Sequence, residues 1–224
     1  MRPIIRKLVE LLNQEIELTE PIYEFGSYQV PGQEDRSIRS FFSNRQFVGC
    51  DLQLGPGVDK IMDLHSLNLS DNSVGTAILL DTIEHVKYFW KAAPEIYRVL
   101  KPDGIAIISS VMYFPIHNYP SDYWRFTPDG FQSMTEMFDD SLVEYAGLKD
   151  FPHTVIAICT KGKLSERKKM TLKKTLTKWK QHHSHSWREL LIIFLPPALV
   201  PTLYKFYTFL TKQLSKNAGH FRNT

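Results

Sequence analysis

Residues 47–86 read FVGCDLQLGPGVDKIMDLHSLNLSDNSVGTAILLDTIEHV, and three short apolar runs in this stretch each end on a carboxylate. Phe47 to Cys50 runs into Asp51, Lys60 to Met62 into Asp63, and Val74 to Leu80 into Asp81. Runs of this length, rich in β-branched and other apolar residues and closed by turn formers, read as buried strands. Gly55-Pro56-Gly57 forbids a full helix between Asp51 and Asp63, so that crossover is expected to be a loop.

Working outward, Ile22 to Phe25 is an earlier strand that holds Glu24 and enters a turn at Gly26, and Arg36 to Phe42 reads as a helix. Downstream, Phe89, Ala93, Ile96, Tyr97 and Leu100 share one face of a helix over 88–100, which Pro94 starts or kinks. Lys101 to Gly104 reads as a turn, Ile105 to Val111 as a continuous apolar strand, and Thr127 to Phe138 as a helix. Leu142 to Ala146 and Thr154 to Thr160 are two closing strands with no convincing helix between them. Strands alternating with helices imply a mostly parallel, doubly wound α/β sheet of about seven strands, and the closing pair implies an antiparallel edge. In such sheets ligands bind outside the carboxyl ends of the strands, where Glu24, Asp51, Asp63 and Asp81 converge.

In this order the residues resemble class I S-adenosylmethionine-dependent methyltransferases of the type 11 kind. The likeness rests on Tyr23-Glu24-Phe25-Gly26, Val48-Gly49-Cys50-Asp51, Asp63-Leu64, Asp71-Asn72-Ser73-Val74, Asp81-Thr82-Ile83-Glu84-His85-Val86 and Val99-Leu100-Lys101-Pro102-Asp103-Gly104, and covers about residues 20–160. It implies S-adenosylmethionine as cofactor. Glu24, Gly26 and Ser27 would lie by its methionine part, and Asp51 would take the ribose hydroxyls with Leu52 packed on the adenine. Asp63 would face the adenine amino group with Leu64 beside it, and Asp81 would line the methionine end. An acidic rim suits a ligand that is cationic at sulfur and carries an ammonium. The chain departs from the pattern after Gly26, where Ser27, Tyr28 and Gln29 stand in place of further glycines.

Between the fifth strand and the next helix, Phe114 to Phe126 gathers aromatics with His117, Asp122 and Arg125. It is similar to a His…Asp-Tyr-Trp-Arg-Phe stretch that closes over the active site in a subset of these enzymes. An oxygen acceptor benefits from a base, and His117 is the first candidate, with Asp122 second, as base or orienting group, and His85 third. Tyr123 and Trp124 could stack on an acceptor ring, and Arg125 could hold an anion or pair with Asp122. The alternative is a structural lid anchored by Trp124 and Phe126.

The net charge of +3 hides a division: residues 161–224 hold 14 Lys+Arg and 2 Asp+Glu, against 13 and 22 in residues 1–160. Residues 161–180 read as a basic amphipathic helix with Leu172, Leu176 and Trp179 on one face, and the apolar run 187–210 is broken by Pro196, Pro197, Pro201 and Lys205. Two readings of 161–210 stand: contact with an anionic membrane surface, or packing on the body or in a homodimer through the C-terminal helices. Nucleic acid is disfavoured, because an acidic acceptor mouth repels a polyanion.

Met1 to Glu20, with Ile4, Ile5, Leu8, Val9, Leu12 and Ile16 on one helical face and Glu10, Glu15 and Glu17 interrupting it, reads as a packing helix and not as a secretion signal. Two cysteines, Cys50 and Cys159, fit a reducing, cytoplasmic setting, with the inner face of a membrane as the site for any tail contact. His182, His183 and His185 have no accompanying carboxylate or Cys, so no metal site is expected. The chain divides into an N-terminal helix (1–19), a methyltransferase domain (20–162) and a helical extension (163–224). The expected activity is methyl transfer to a small-molecule, glycan or lipid-linked acceptor, most naturally at oxygen. The alternatives are a non-catalytic binding module with a degenerate cofactor loop, or an RNA methyltransferase.

Overall fold

The computed structural model describes residues 1–30, 37–117 and 120–182. Helix α1 (Pro3–Glu15) is followed by β1 (Ile22–Phe25), a 3₁₀ turn at Arg39–Phe42, β2 (Phe47–Asp51), β3 (Lys60–Ile61) and β4 (Val74–Leu80). A 3₁₀ turn at Ile83–His85 leads to α2 (Phe89–Val99), then β5 (Leu100–Val111), α3 (Pro128–Met134), β6 (Asp140–Leu148), β7 (Phe151–Thr160) and α4 (Glu166–His182). The strands form one sheet in the order β3-β2-β1-β4-β5-β7-β6. All neighbours are parallel except β7, which runs antiparallel to both β5 and β6. The expected doubly wound sheet with an antiparallel edge is therefore present.

Alternation along the strands builds two cores, one on each face of the sheet. Tyr23, Phe25, Ala77, Leu79, Ala106, Ile108, Val155 and Ala157 point to the face covered by α2 and α3. Ile22, Ile78, Leu80, Ile105, Ile107, Ile156 and Ile158 point to the other, with the apolar faces of α1 and α4. Glu24 sits two residues from Ile22, so the pleat turns its side chain to this second face, beneath α1. A carboxyl on an apolar face is the first sign that the strand end has a purpose besides packing.

Several elements differ from the sequence reading. The helix expected over 36–42 is a single 3₁₀ turn at Arg39–Phe42, still burying Ile38 and Phe42. The turn expected at Lys101–Gly104 lies inside β5, which begins at Leu100 and absorbs the irregularity with Asp103 at φ 63° and a register shift against β4. Helix α3 stops at Met134, short of Phe138, and Thr127 caps its start by accepting from the Gly130 N–H at 3.0 Å. The link from Asp51 to Asp63 contains no helix, as the Gly-Pro-Gly run requires.

For the basic helix, the structure takes one of the two readings open in sequence. Leu172, Leu176 and Trp179 of α4 are buried in the α1 core, and Trp179 Nε1 donates to the Ile4 carbonyl at 2.8 Å. Lys178 pairs with Glu15 at 2.6 Å. The apolar face of α4 is thus packed on the body, and Arg167, Lys168, Lys173 and Lys174 face out. No helix among the described residues is long and apolar enough to cross a membrane. The apolar run 187–210, with His183 and His185, lies outside the described residues.

Candidate active site

The sheet order reverses between β1 and β4, and in sheets of this kind the ligand crevice lies there, at the carboxyl ends of the strands. Gly26 makes that junction. It holds φ at +83°, and a Cβ on it would lie 2.3 Å from Thr82 Oγ1, which in turn donates to the Phe25 and Leu80 carbonyls. Only glycine supplies both the left-handed turn and the close approach. The next residue, Ser27, is buried and donates to the Cys50 carbonyl at 3.2 Å, while Tyr28 N–H reaches Asp51 Oδ2 at 3.2 Å. The loop therefore keeps its tight turn with one glycine, because its remaining backbone is pinned to the end of β2.

Around this junction lie the expected cofactor residues. The Glu24 carboxyl is pushed up to about 7 by burial, against the pull of Arg39. Asp51 ends β2, and Leu52 beside it is 57% exposed, with Leu54 and Ile61 also uncovered. An exposed apolar rim next to a carboxylate matches a purine attached to a ribose diol. Asp63 is half-exposed and accepts from His65 through its backbone N–H (2.9 Å) and Nδ1 (2.6 Å). Leu64 departs from expectation: it is buried in the α2-side core.

Asp81 is held by partners that sequence reasoning missed. Arg2 grips its carboxylate with two hydrogen bonds, Nε to Oδ2 at 2.8 Å and Nη2 to Oδ1 at 2.7 Å, and Ser109 Oγ donates to Oδ1 at 3.0 Å. This guanidinium pulls the Asp81 carboxyl below its ordinary range even though burial opposes it. Arg2 also donates to Thr154 Oγ1 and lies over the Phe114 ring at 5.6 Å. It joins β4, β7 and the 112–126 segment at the methionine end of the crevice. Nothing in the local sequence announces a partner 79 positions away; the one cue is an arginine placed just before the first helical turn.

The 112–126 segment is tied down from within. Asp122 is 1% exposed and accepts two bonds from Arg125 (Nη1 to Oδ1 at 2.5 Å, Nη2 to Oδ2 at 2.6 Å) and one from the His117 N–H at 2.9 Å. These bonds, the Arg125 fork first, lower its carboxyl to about 2. Trp124 Nε1 donates to the Val86 carbonyl at 3.1 Å, and its ring meets Phe89 and Trp90 edge-on. Arg125 and Trp124 thus serve the fold of the lid. Tyr123, 45% exposed, is the one of the three expected acceptor contacts left open.

His117 of this segment meets His85, their ring centroids 4.8 Å apart. His85 Nδ1 contacts the Ser121 carbonyl at 2.6 Å, an acceptor that fixes the proton on Nδ1 and leaves Nε2 with a lone pair. Burial lowers the His85 pKa, which keeps the ring neutral. Beside them Glu84 is fully buried. Ser110 Oγ donates to its Oε2 at 2.9 Å, its Oε1 has no partner, and burial followed by Asp81 pushes its carboxyl up to about 8. The histidine ranked third by sequence is therefore as well placed as the first.

The Methyltransferase domain family matches residues 44–108, which span β2, β3, β4, α2 and most of β5. The fold is the class I methyltransferase fold. Solved structures with the same fold include S-adenosylmethionine-dependent methyltransferases from Archaeoglobus fulgidus, Methanosarcina mazei and Thermotoga maritima. The Archaeoglobus protein is 12% identical with a TM-score of 0.56, the match covering 72% of this chain and 95% of that one. The Methanosarcina protein is 13% identical, TM-score 0.50, covering 74% and 99%. The Thermotoga protein is 19% identical, TM-score 0.50, covering 69% and 89%. Among curated proteins, none matches the chain.

The methyltransferase match implies S-adenosylmethionine as cofactor, and the donor set at the strand ends fits it. Glu24 would offer a carboxyl to its cationic methionine end, Asp51 a carboxylate to the ribose, and Leu52 an apolar surface to the adenine. When bound, the cofactor supplies an electrophilic methyl group on sulfonium; the chain's part is to hold it in line with the acceptor and exclude water. A cationic ligand prefers ionised Glu24, so cofactor affinity is expected to be full above pH 7 and to fall by up to tenfold per unit below it. Calorimetry from pH 5.5 to 8.5 measures this; a flat profile in the native chain, or a steep one in Glu24→Gln, contradicts the assignment.

Proposed function

We propose that this methyltransferase methylates a hydroxyl oxygen of a small-molecule, glycan or lipid-linked acceptor. The observation that carries the reading is the His85–His117 pair, with His85 Nδ1 bound to the Ser121 carbonyl and Nε2 free to accept. A hydroxyl is a poor nucleophile until its proton is taken, and a base poised near neutrality is suited to take it. Asp122 is a weaker candidate for that step, because Arg125 and the His117 N–H already occupy a carboxyl lowered to about 2. Its part is to orient His117, whose Nδ1 lies 3.1 Å from Asp122 Oδ2. Tyr123, exposed at the rim, offers a ring face for a sugar or aromatic acceptor.

Methyl-labelled cofactor incubated with the enzyme and fractionated cell extract tests the reading. Label is expected in a lipid, glycan or small-molecule fraction, bound as a methyl ether, and His85→Asn is expected to slow its transfer at least 100-fold. Label confined to protein nitrogen or RNA rejects it.

A further inference from the structure

We infer that Glu84, His85 and His117 form a binding site for one divalent transition-metal ion of the zinc class. Each of the three can offer one ligand atom, and these atoms all lie within 4.8 Å of one another. Two imidazoles and a carboxylate are a donor set that zinc and its neighbours accept, with further positions left for solvent or substrate.

The surroundings are those of a ligand set. In metal sites the non-ligating ring nitrogen of a histidine is held by a carbonyl or carboxylate, which fixes the ring and its tautomer. Here His85 Nδ1 is on the Ser121 carbonyl at 2.6 Å, and His117 Nδ1 is beside the Pro115 carbonyl at 3.2 Å and Asp122 Oδ2 at 3.1 Å. Both rings therefore keep Nε2 for the ion. Glu84 supplies the second, independent sign: its side chain is fully buried, Oε2 takes the Ser110 hydroxyl, and Oε1 has no partner. A buried polar atom left unsatisfied calls for an explanation.

The nearby cations do not provide one. Arg2 is matched by Asp81, and Arg125 by Asp122. The 4.8 Å that encloses the three ligand atoms is wider than the about 3.4 Å between ligand atoms of a tetrahedral site with bonds near 2.0–2.1 Å, so binding draws the ligand atoms together. His117 belongs to the lid segment, which makes this ring the one to move.

The site deepens the acceptor reading and rests on it for its purpose. With the ion in place, weakening of the acceptor O–H passes from free imidazole to the metal, and the histidines become ligands. Binding itself is tested without any acceptor. The full chain is titrated with Co²⁺ as a spectroscopic stand-in, then with Zn²⁺ in competition. One Co²⁺ per chain is expected, with the visible absorption of a nitrogen-ligated four- or five-coordinate ion that Zn²⁺ bleaches. Glu84→Gln is expected to weaken it at least tenfold, and His85→Asn with His117→Asn to remove it. Retained S-adenosylmethionine binding shows that each variant is folded; His117→Asn alone serves if the double variant is not. No absorption at millimolar Co²⁺ overturns the inference, and so does absorption unchanged in the histidine variants, which assigns the metal to His182, His183 and His185. Either failure leaves hydroxyl methylation by free imidazole standing, whereas label on nitrogen rejects the acceptor reading and leaves the cobalt spectrum untouched.

Discussion

Asp51→Ala lowers affinity for S-adenosylmethionine about 100-fold or more while the protein stays folded. Asp51 closes β2 at the edge of the crevice, and the ribose diol would give its carboxylate two charge-assisted hydrogen bonds. At about 1.5–3 kcal/mol each, losing both removes at least about 3 kcal/mol, which is two powers of ten in the dissociation constant. Among the described residues, the native structure loses the Tyr28 N–H bond, at 3.2 Å, so the cost to folding is small. Asp63→Ala gives the contrast. That carboxylate is 52% exposed and already shared with His65, so a loss nearer tenfold is expected. Calorimetry on the two variants decides it: equal effects, or none, would move the cofactor away from the end of β2.

Arg125→Met destabilises the lid by about 3 kcal/mol, read as accelerated amide exchange across 112–126 and a lower midpoint in urea. Removing one partner of a buried ion pair leaves the other charge uncompensated, which costs about 3–5 kcal/mol. The low end applies because the His117 N–H still donates to Asp122. The pair also sets an acid limit. Asp122 titrates near 2 in the folded state, below its ordinary carboxyl value, so its contribution is complete above about pH 4 and is lost as pH falls toward 2. In Arg125→Met that acid dependence flattens. Unchanged exchange in the lid would mean that Trp124 and its aromatic neighbours hold the segment without the ion pair.

The parts of the site legible in sequence were those whose signal is local. A carboxylate closing an apolar strand, a Gly-Pro-Gly break and an aromatic run beside His and Asp each carry their meaning within a few residues. Glu24, Asp51, Asp63 and Asp81 accordingly fall at the strand ends expected of them. What escaped depends on tertiary partners. Asp81 had its role read from its strand alone, and Arg2 reaches it across 79 positions. Leu64 follows Asp63 in sequence but packs inward, because the chain turns back there through the Asp63–Ser66 bridge. The apolar stripe of α4 was ambiguous for a different reason. Leu172, Leu176 and Trp179 at helical spacing suit a lipid surface and a protein core equally well, and only the complementary face of α1 decides between them. Glu84, His85 and His117 illustrate the same limit: no spacing rule links position 117 to 84 and 85, and the sheet brings them together.

The central claim is a crevice at the β1–β4 switch that binds S-adenosylmethionine through Glu24 and Asp51 despite a loop with a single glycine. Calorimetric titration of the full chain with S-adenosylmethionine at pH 8, where Glu24 is ionised, tests it most directly. The account predicts one site per chain, saturating at micromolar ligand and weakening at pH 6. No heat of binding at millimolar ligand would contradict it.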